Sequence, residues 1–371
     1  MFDVSAAHKP TGLYDLDGNL KFVPFIHDGD GCSYWRIRKP FEEMGLNLEE
    51  TNKPLEHYLE HCKVVTFNRT PGFSIEAFIK LKVKYGFKVV IDWDDYWILP
   101  HDHMIYKGWN QQRMPEIAHM MIKELADYVT CTTERLAEKI RPINKNVAIF
   151  PNAIPVGKGQ WATGDREYGL PFKNVLTKTG NTIREGGTRF GYIAGSSHLP
   201  DIKHIAPVLN HFPRLNITLA GYNNPDEKRG AKNVWDQMER IVSFNYHNPN
   251  YKRIKTLGFD EYAQAYEHID VAIAPLNNSH FNSHKSSLKA YEAGAKKVAF
   301  ISSACAPYTD DIPEDCATFC SKNADWVDAI KAHKDLGYVA DQAAKLNAWV
   351  ETNRNLKNIA QDKLEFLNSI I

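Results

Sequence analysis

With 371 residues and 45 basic against 45 acidic side chains, the chain has room for two medium domains and carries no net charge. A global basic field for nucleic acid is excluded, although a local patch is not. The 43% apolar content is that of an ordinary globular protein. No apolar run approaches the roughly 20 residues of a membrane span. Residues 1–10 lack the apolar core of a leader, so a cytoplasmic protein is expected. Cys32, Cys62, Cys131, Cys305, Cys316 and Cys320 form no CxxC pair and read as reduced core thiols, without His or Cys neighbours for a metal site.

In chain order, 21–26 is the first strand candidate, weakened by Pro24, which has no N–H for a ladder. It enters a glycine-rich turn over 27–33, where the backbone can closely approach a bound group or simply reverse. A helix follows from Tyr34 to Gly45. Arg36 and Arg38 supply fixed charge for a ligand or for a surface ion pair. Segments 63–67 and 88–91 read as buried strands, separated by a turn and an amphipathic helix that Gly86 closes. This alternation predicts a parallel sheet with helices on both faces and ligands beyond the carboxyl ends of its strands. Asp92-Trp93-Asp94-Asp95 falls there, with Tyr96 and Trp97 next. These acids suit acceptor binding or general-base work; a divalent metal, or plain solvated and capping carboxylates, are the alternatives. His101, His103, Tyr106 and Trp109 form an aromatic loop assigned to recognition. A helix over 114–126, a strand over 128–131, a helix capped by Thr132 or Thr133 and a strand over 146–150 complete this half. Residues 156–187 show no clear period and read as a linker with a decorated edge.

The second half opens with a strand over 188–194, the turn Gly195-Ser196-Ser197-His198 and a helix with Pro200 in its first turn. A strand over 216–220 follows. Segment 222–250 reads as an insertion or a helix–loop, 252–257 as a further strand-like segment closed by Gly258, and 259–268 as a helix. The most informative stretch is 270–295. Val271-Ala272-Ile273-Ala274 reads as a buried strand, and Pro275 ends it. A polar loop then runs from Asn277 to His284, and Ser286 or Ser287 caps a helix carrying Leu288, Tyr291 and Ala295. Strand, loop and helix start make a common anion site. Lys285, Lys289 and Glu292 share one helix face. They offer two cations for phosphates and a carboxylate for a ribose diol, or else an exposed stripe worth about 0.2–0.5 kcal/mol per pair. A strand over 298–302, a loop over 303–308, a helix over 325–336 and one long helix over 339–367 end the chain.

Pro275-Leu276, Phe281-Asn282, Lys285-Ser286, Leu288-Lys289, Glu292 and Gly294-Ala295 together resemble the nucleotide-sugar site of retaining GT-B glycosyltransferases of the family-four type. Gly191-Tyr192, Gly195-Ser196, His198 and Asp201 resemble a second element of that family, and Asn152 matches its strand-exit asparagine. The resemblance implies an α/β chain of two Rossmann-like doubly wound domains facing a central cleft. It places an acceptor domain over 1–165, a nucleotide-sugar domain over 166–345, and a carboxyl-terminal helix over 346–371 packing back toward the first. It implies transfer of a sugar from a nucleotide-diphosphate sugar to a hydroxyl with retention, without an obligate cofactor or metal.

The donor residues it implies are Gly29, Gly31, Gly195, Ser196, His198, Lys203, Leu257, Gly258, Phe259, Asn282, Lys285, Ser286, Leu288, Lys289 and Glu292, the last on the ribose. Lys285 is expected to steady the leaving diphosphate. Asp92, Asp94, Asp95 or His101 would assist the acceptor, and Arg36, Trp93, Tyr96, Trp97, His103 and Trp109 would bind it. The chain departs from the family at His284, where a Glu is common, and in having only Lys203 where an Arg and a Lys are usual. Its compact size and the YWRIRKP element starting at Tyr34 look similar to transferases of tailed bacteriophages. Some of those modify hydroxymethylated cytosine in DNA, a base the aromatic loop would stack on. A glycan or lipid-linked sugar is the alternative acceptor. A non-catalytic sugar-nucleotide or nucleic-acid binding protein on the same scaffold, and an epimerase, are the other readings.

Overall fold

A computed structural model of the chain describes residues 13–27, 29–46, 54–176, 182–224 and 233–371. Asp28 of the first turn, residues 1–10, and parts of the segments 156–187 and 222–250 lie outside the described residues. The chain divides into two compact units. Unit 1 comprises residues 1–153, 284–286 and 354–371; unit 2 comprises 154–283 and 287–353.

Unit 1 is built on a parallel sheet whose described strands lie in chain order: β1 (Phe22–Phe25), β2 (Val64–Asn68), β3 (Lys88–Trp93), β4 (Tyr128–Cys131) and β5 (Val147–Ile149). Pro24 is accommodated because, among the described strands, β1 is at the edge and pairs with β2 alone. Every residue of β2 is buried, and every residue of β3 after Lys88. That accounts for continuous apolar runs in place of an alternating pattern. Ser74 caps the helix Ile75–Tyr85, and Gly86 ends it in the left-handed region at φ 72°. Thr133 caps Glu134–Ile140 through its hydroxyl, which accepts from the Leu136 N–H. The helical segment after β1 widens to a π-helix over Tyr34–Arg38. The last helix, Leu356–Ser369, adds Ala360, Leu364 and Leu367 to the core of this unit.

Unit 2 begins with an antiparallel hairpin, β6 (Leu170–Leu176) and β7 (Thr182–Gly187), where the sequence suggests a linker. A two-stranded ribbon does not need the sustained apolar run that marks a core strand, so its sequence carries no such signal. Its main sheet contains β8 (Phe190–Ile193), β9 (Ile217–Tyr222), β10 (Tyr251–Lys255), β11 (Val271–Ala274), β12 (Ala299–Ser303) and β13 (Thr318–Cys320). All are parallel, in the order β10-β9-β8-β11-β12-β13. The winding reverses between β8 and β11, so the crevice for a ligand falls beyond the carboxyl ends of those two strands.

Segment 222–250, read as an insertion or a helix–loop, holds a regular helix, Val234–Val242, capped by Asn233. Segment 259–268, read as a helix, is helical over Tyr262–His268 with 3-10 geometry. The long final helix is broken after Asn353, and Asn355 caps the second piece by accepting from the Lys357 N–H.

Glycine 294 has a packing reason. A Cβ there would stand 2.6 Å from Val350 Cγ2 and 3.1 Å from the Leu346 carbonyl oxygen. The helix Leu288–Ala295 thus lies against the helix Leu336–Asn353 at a separation only glycine permits, and Asn347 donates to the Gly294 carbonyl at 2.8 Å. Gly294→Val is expected to destabilise unit 2 by about 1–3 kcal/mol through overpacking. An unchanged urea midpoint would show that the two helices have room to separate.

Candidate functional site

At the reversal point of unit 2, β8 leads into Gly195 and the turn Ser196–His198. His198 Nδ1 lies 2.7 Å from Asp201 Oδ2, and the other oxygen of Asp201 accepts from the Asn277 N–H at 2.8 Å. The β8 loop is therefore bound to the β11 loop through one buried carboxylate. His198 is engaged in that tie, while Lys203 is exposed. Within the β11 loop, Asn282 donates its side-chain amide to the Asn277 carbonyl at 3.0 Å. The loop is stapled from inside before it reaches the helix. Leu257, Gly258 and Phe259 follow β10, two strands away from β8, and Gln160 donates to the Phe259 carbonyl.

Ser287 is the N-cap of the helix Leu288–Ala295, but its side chain does not cap it. The hydroxyl donates instead to the Pro307 carbonyl. The helix start thus keeps its positive end without a side-chain acceptor, the condition for receiving an outside anion. Ser286 accepts a 2.6 Å hydrogen bond from the Asn152 amide, which fixes the strand-exit asparagine against the residue before the cap. Lys289 donates to the Ile193 carbonyl at 2.7 Å, which holds its ammonium at the carboxyl end of β8. Lys285 is half-buried beside the helix start.

Glu292 is only 3% exposed, because its neighbours Ala290, Tyr291 and Ala293 are all core residues. Tyr266 donates its hydroxyl to Glu292 Oε2 at 2.7 Å. Burial pushes the Glu292 carboxyl up to about 7, with the Tyr266 hydrogen bond and Lys289 opposing it. It is a buried acid poised near neutrality and not a member of an exposed stripe. Tyr266 carries no motif in the sequence, and its place in an irregular 3-10 helix hides it from periodicity.

Two of the three acids of unit 1 are held in arginine pairs. Asp92 is fully buried. Arg36 grips both of its oxygens at 2.8 and 2.9 Å, Thr130 donates at 2.7 Å, and Lys363 of the last helix donates at 3.4 Å. Burial alone would raise this carboxyl; Arg36 first, then Lys363, outweigh it and hold it down at about 2. Burial pushes Lys363 down to about 8 against the pull of Asp92. Asp92 has no oxygen left for an acceptor hydroxyl, and Arg36, itself 4% exposed, is not available to bind one. Asp94 is likewise gripped by Arg69 at 2.8 and 3.0 Å, which keeps its carboxyl below the usual range despite burial. Asp95 keeps 35% of its side chain exposed, 3.5 Å from the Arg69 guanidinium. Among the described residues no group of three His, Cys, Asp or Glu side chains is placed to hold a metal ion.

The aromatic loop is also only partly a surface. Trp93 and Trp97 are 1% and 6% exposed and meet edge to face at 5.9 Å, so they are core and not stacking platforms. Trp109 donates its indole N–H to the Trp97 carbonyl at 2.8 Å and stays half-buried. His101 is exposed and packs on Tyr106; His103 is half-buried. Tyr96 stacks on His284 with ring centroids 4.8 Å apart. His284 is 4% exposed, and its carbonyl accepts from Thr133. In the turn after β1, Gly29 takes φ 77°, and Gly31 opens a short helix whose Cys32 and Ser33 N–H groups are already held by the Asp30 carboxylate.

No family model matches the sequence, and no curated protein sequence matches it. Solved structures do match. A sucrose-phosphate synthase from Thermosynechococcus elongatus aligns with a TM-score of 0.59 at 13% identity, covering 88% of this chain and 80% of that one. Anabaena HepE, in complex with UDP-glucose, aligns at 0.58 and 10% identity over 83% of this chain and 79% of its own. A glycosyltransferase from Rickettsia africae aligns at 0.56 and 9% identity over 90% and 87%. The chain has the GT-B fold.

Asp92 is fully buried and Asp95 partly exposed, so removing them should cost differently. Asp92→Ala strands Arg36 and Lys363 without their counter-charge and is expected to cost about 3–5 kcal/mol in chemical denaturation. Asp95→Ala should leave stability within about 0.5 kcal/mol. Equal effects of the two would refute the division of labour.

For Glu292, the folded pKa lies above the ordinary carboxyl value of 4.5. Its stabilising contribution is therefore complete below pH 4.5 and lost as pH rises through 7. Glu292→Gln keeps a partner for Tyr266 and removes the charge. The Tm of the variant should match wild type near pH 4.5 and exceed it by several degrees at pH 8 in the absence of ligand; a difference independent of pH would overturn the assignment.

Proposed function

We propose that the chain is a glycosyltransferase that takes a sugar from a nucleotide-diphosphate sugar and passes it to an acceptor hydroxyl. The observation that carries this reading is the construction of the β8–β11 reversal point. A helix start without a side-chain cap, the Lys289 ammonium and a buried Glu292 all belong to one short segment there. The diphosphate is assigned to the helix start and Lys285, and the ribose diol to Glu292. HepE, which shares the fold, is recorded with UDP and with UDP-glucose. A uridine nucleotide sugar is accordingly the first donor to test.

The chemistry assigned to these groups is electrostatic. As the glycosidic bond to the diphosphate lengthens, negative charge grows on the leaving oxygen. The helix dipole and Lys285 are assigned to receive it, and groups oriented before the reaction lower such a barrier without solvent reorganisation. Retention is the outcome the family resemblance implies. Asp92 and Asp94 are both consumed by arginine pairs and are not assigned as a general base. Asp95 and His101 remain as groups to orient an acceptor. A DNA base loses two of the aromatic platforms that motivated it, since Trp93 and Trp97 are core. A glycan hydroxyl is the acceptor we favour.

The decisive measurement is calorimetric titration of the full chain with a panel of nucleotide sugars that includes UDP-glucose. One member should bind, with about tenfold or greater loss in Glu292→Ala. Affinity should rise from pH 6 to pH 8 as Glu292 ionises, and Glu292→Gln should remove that dependence. Absence of binding across the panel would reject the function, and binding unaffected by Glu292→Ala would reject the site. Product anomers read by NMR, with glycan and hydroxymethylated duplex DNA offered side by side, decide retention and acceptor.

A further inference from the structure

Within unit 2, the two oxygens of Glu292 are not equivalent. The helix Leu288–Ala295 brings this carboxyl against the 3-10 helix Tyr262–His268, where Tyr266 donates its hydroxyl to Oε2 at 2.7 Å. Tyr266 is the one hydrogen-bond partner of Glu292 among the described residues. A carboxylate that is 3% exposed and holds a single neutral donor keeps lone pairs unmade, at a cost in free energy. Oε1 does not belong to the sealed, unpartnered side-chain atoms of the described residues, so solvent reaches it. It is the oxygen that a ligand can satisfy.

The Tyr266 hydroxyl is fixed from behind. Tyr266 is buried, with its ring tilted against Trp161 at 6.4 Å and edge to face with Tyr262 at 6.3 Å. Its carbonyl accepts from Arg166 at 2.9 Å, and the Ala263 N–H in the same 3-10 helix donates to the Gln160 side chain at 2.7 Å. The segment that carries Gln160 and Trp161 is held in turn by the buried Lys296 ammonium, which donates to the Gln160 and Ala162 carbonyls at 3.0 and 3.1 Å. A side chain locked by its own neighbours can dictate the orientation of the group it touches.

The titratable groups that face Glu292 are separable. Lys289, on the same helix, acts on it through its charge. Tyr262 and Tyr266 face it from the 3-10 helix and Tyr308 from the helix Ala306–Thr309. Burial first, then nearby anions that include Glu292, push all three phenols well above their ordinary value. They stay neutral where a carboxyl titrates, so a proton lost here near neutral pH comes from Glu292.

We propose that Tyr266 is the positioning residue of the donor site: by holding Oε2 it fixes the Glu292 carboxylate and leaves Oε1 to take the ribose hydroxyls. The inference rests on the assignment of the ribose diol to Glu292 proposed above. Without the Tyr266 hydroxyl, burial is opposed by Lys289 alone, and the carboxyl keeps its proton to higher pH. Tyr266 thereby sets the pH above which the donor is held.

The test is Tyr266→Phe in the full chain, which keeps the ring between Trp161 and Tyr262; its Tm checks that it folds. In ligand-free protein carrying carboxyl-labelled glutamate, the NMR signal that disappears in Glu292→Gln should titrate near pH 7 in wild type. In Tyr266→Phe it should titrate about one unit higher, as loss of a hydrogen bond to a charged group requires. UDP-glucose, ADP-glucose, GDP-mannose and UDP-N-acetylglucosamine are then titrated calorimetrically. Whichever wild type binds should bind Tyr266→Phe about fivefold more weakly at pH 7, the ratio of ionised Glu292 that a one-unit shift gives, and recover at pH 9. A merely structural role would give a loss independent of pH. The double variant Tyr266→Phe/Glu292→Gln should bind no more weakly than Glu292→Gln, because Tyr266 acts through Glu292. An unshifted carboxyl midpoint, a loss independent of pH, or additive losses in the double variant would each overturn this inference and leave the donor reading standing. Failure of wild type to bind any of the four would overturn both.

Discussion

The carboxylate of Asp92 at the end of β3 is the constraint around which unit 1 is assembled. A charge removed from water at the centre of a sheet persists only if it is paired and hydrogen-bonded on every side. Its partners come from far apart in the chain: Arg36 from the widened helix after β1, Thr130 from β4 and Lys363 from the last helix. Arg36 also donates to the Phe150 carbonyl and to Asn152, and Asn152 in turn holds Ser286. One buried charge therefore connects the first helical segment, the exit of β5, the last helix and Ser286 within unit 1. Such a network contributes little net stability compared with an apolar core, but removing one member leaves the others exposed to the full cost of burial.

A second buried acid is treated in the opposite way. Glu292 has a tyrosine for a partner where Asp92 has an arginine, and its carboxyl rises toward neutrality while that of Asp92 falls. The two residues show the same side chain in opposite electrostatic surroundings. A carboxylate saturated by cations has no free valence for chemistry. One held by a single neutral donor is destabilised when ionised, and a ligand offering two hydroxyl donors relieves that penalty. The Ser287 hydroxyl, turned to Pro307 and away from the helix it precedes, follows the same logic by leaving the helix start uncommitted.

Much of the fold was legible because its signals are local. Runs such as Val271–Ala274 and residues 64–67 are recognised by composition, since strands covered on both faces are predominantly apolar and β-branched. Thr133 and Gly86 mark helix ends through interactions within four residues. The hairpin β6–β7, the short β13 and the break after Asn353 were not legible, because each is imposed by its neighbours and not by its own pattern. In the last helix a signal did exist. Leu356, Ala360, Lys363, Leu364 and Leu367 lie on one buried face, so a lysine stands in a core position and calls for a counter-charge.

The amino-acid sequence by itself determined the alternation of strands and helices, the loop-and-helix segment around residues 275–295, and the chemical kinds of side chain gathered there. These depend on spacing along the chain, which a sequence records. Only the tertiary structure decided which charges are spent on one another: that Asp92 and Asp94 belong to Arg36 and Arg69, that Trp93 and Trp97 are core, and that Glu292 is buried beside Tyr266. The chemistry of an ionisable group depends on its solvent access and on partners tens to hundreds of residues away, and neither is set by its immediate neighbours in the chain.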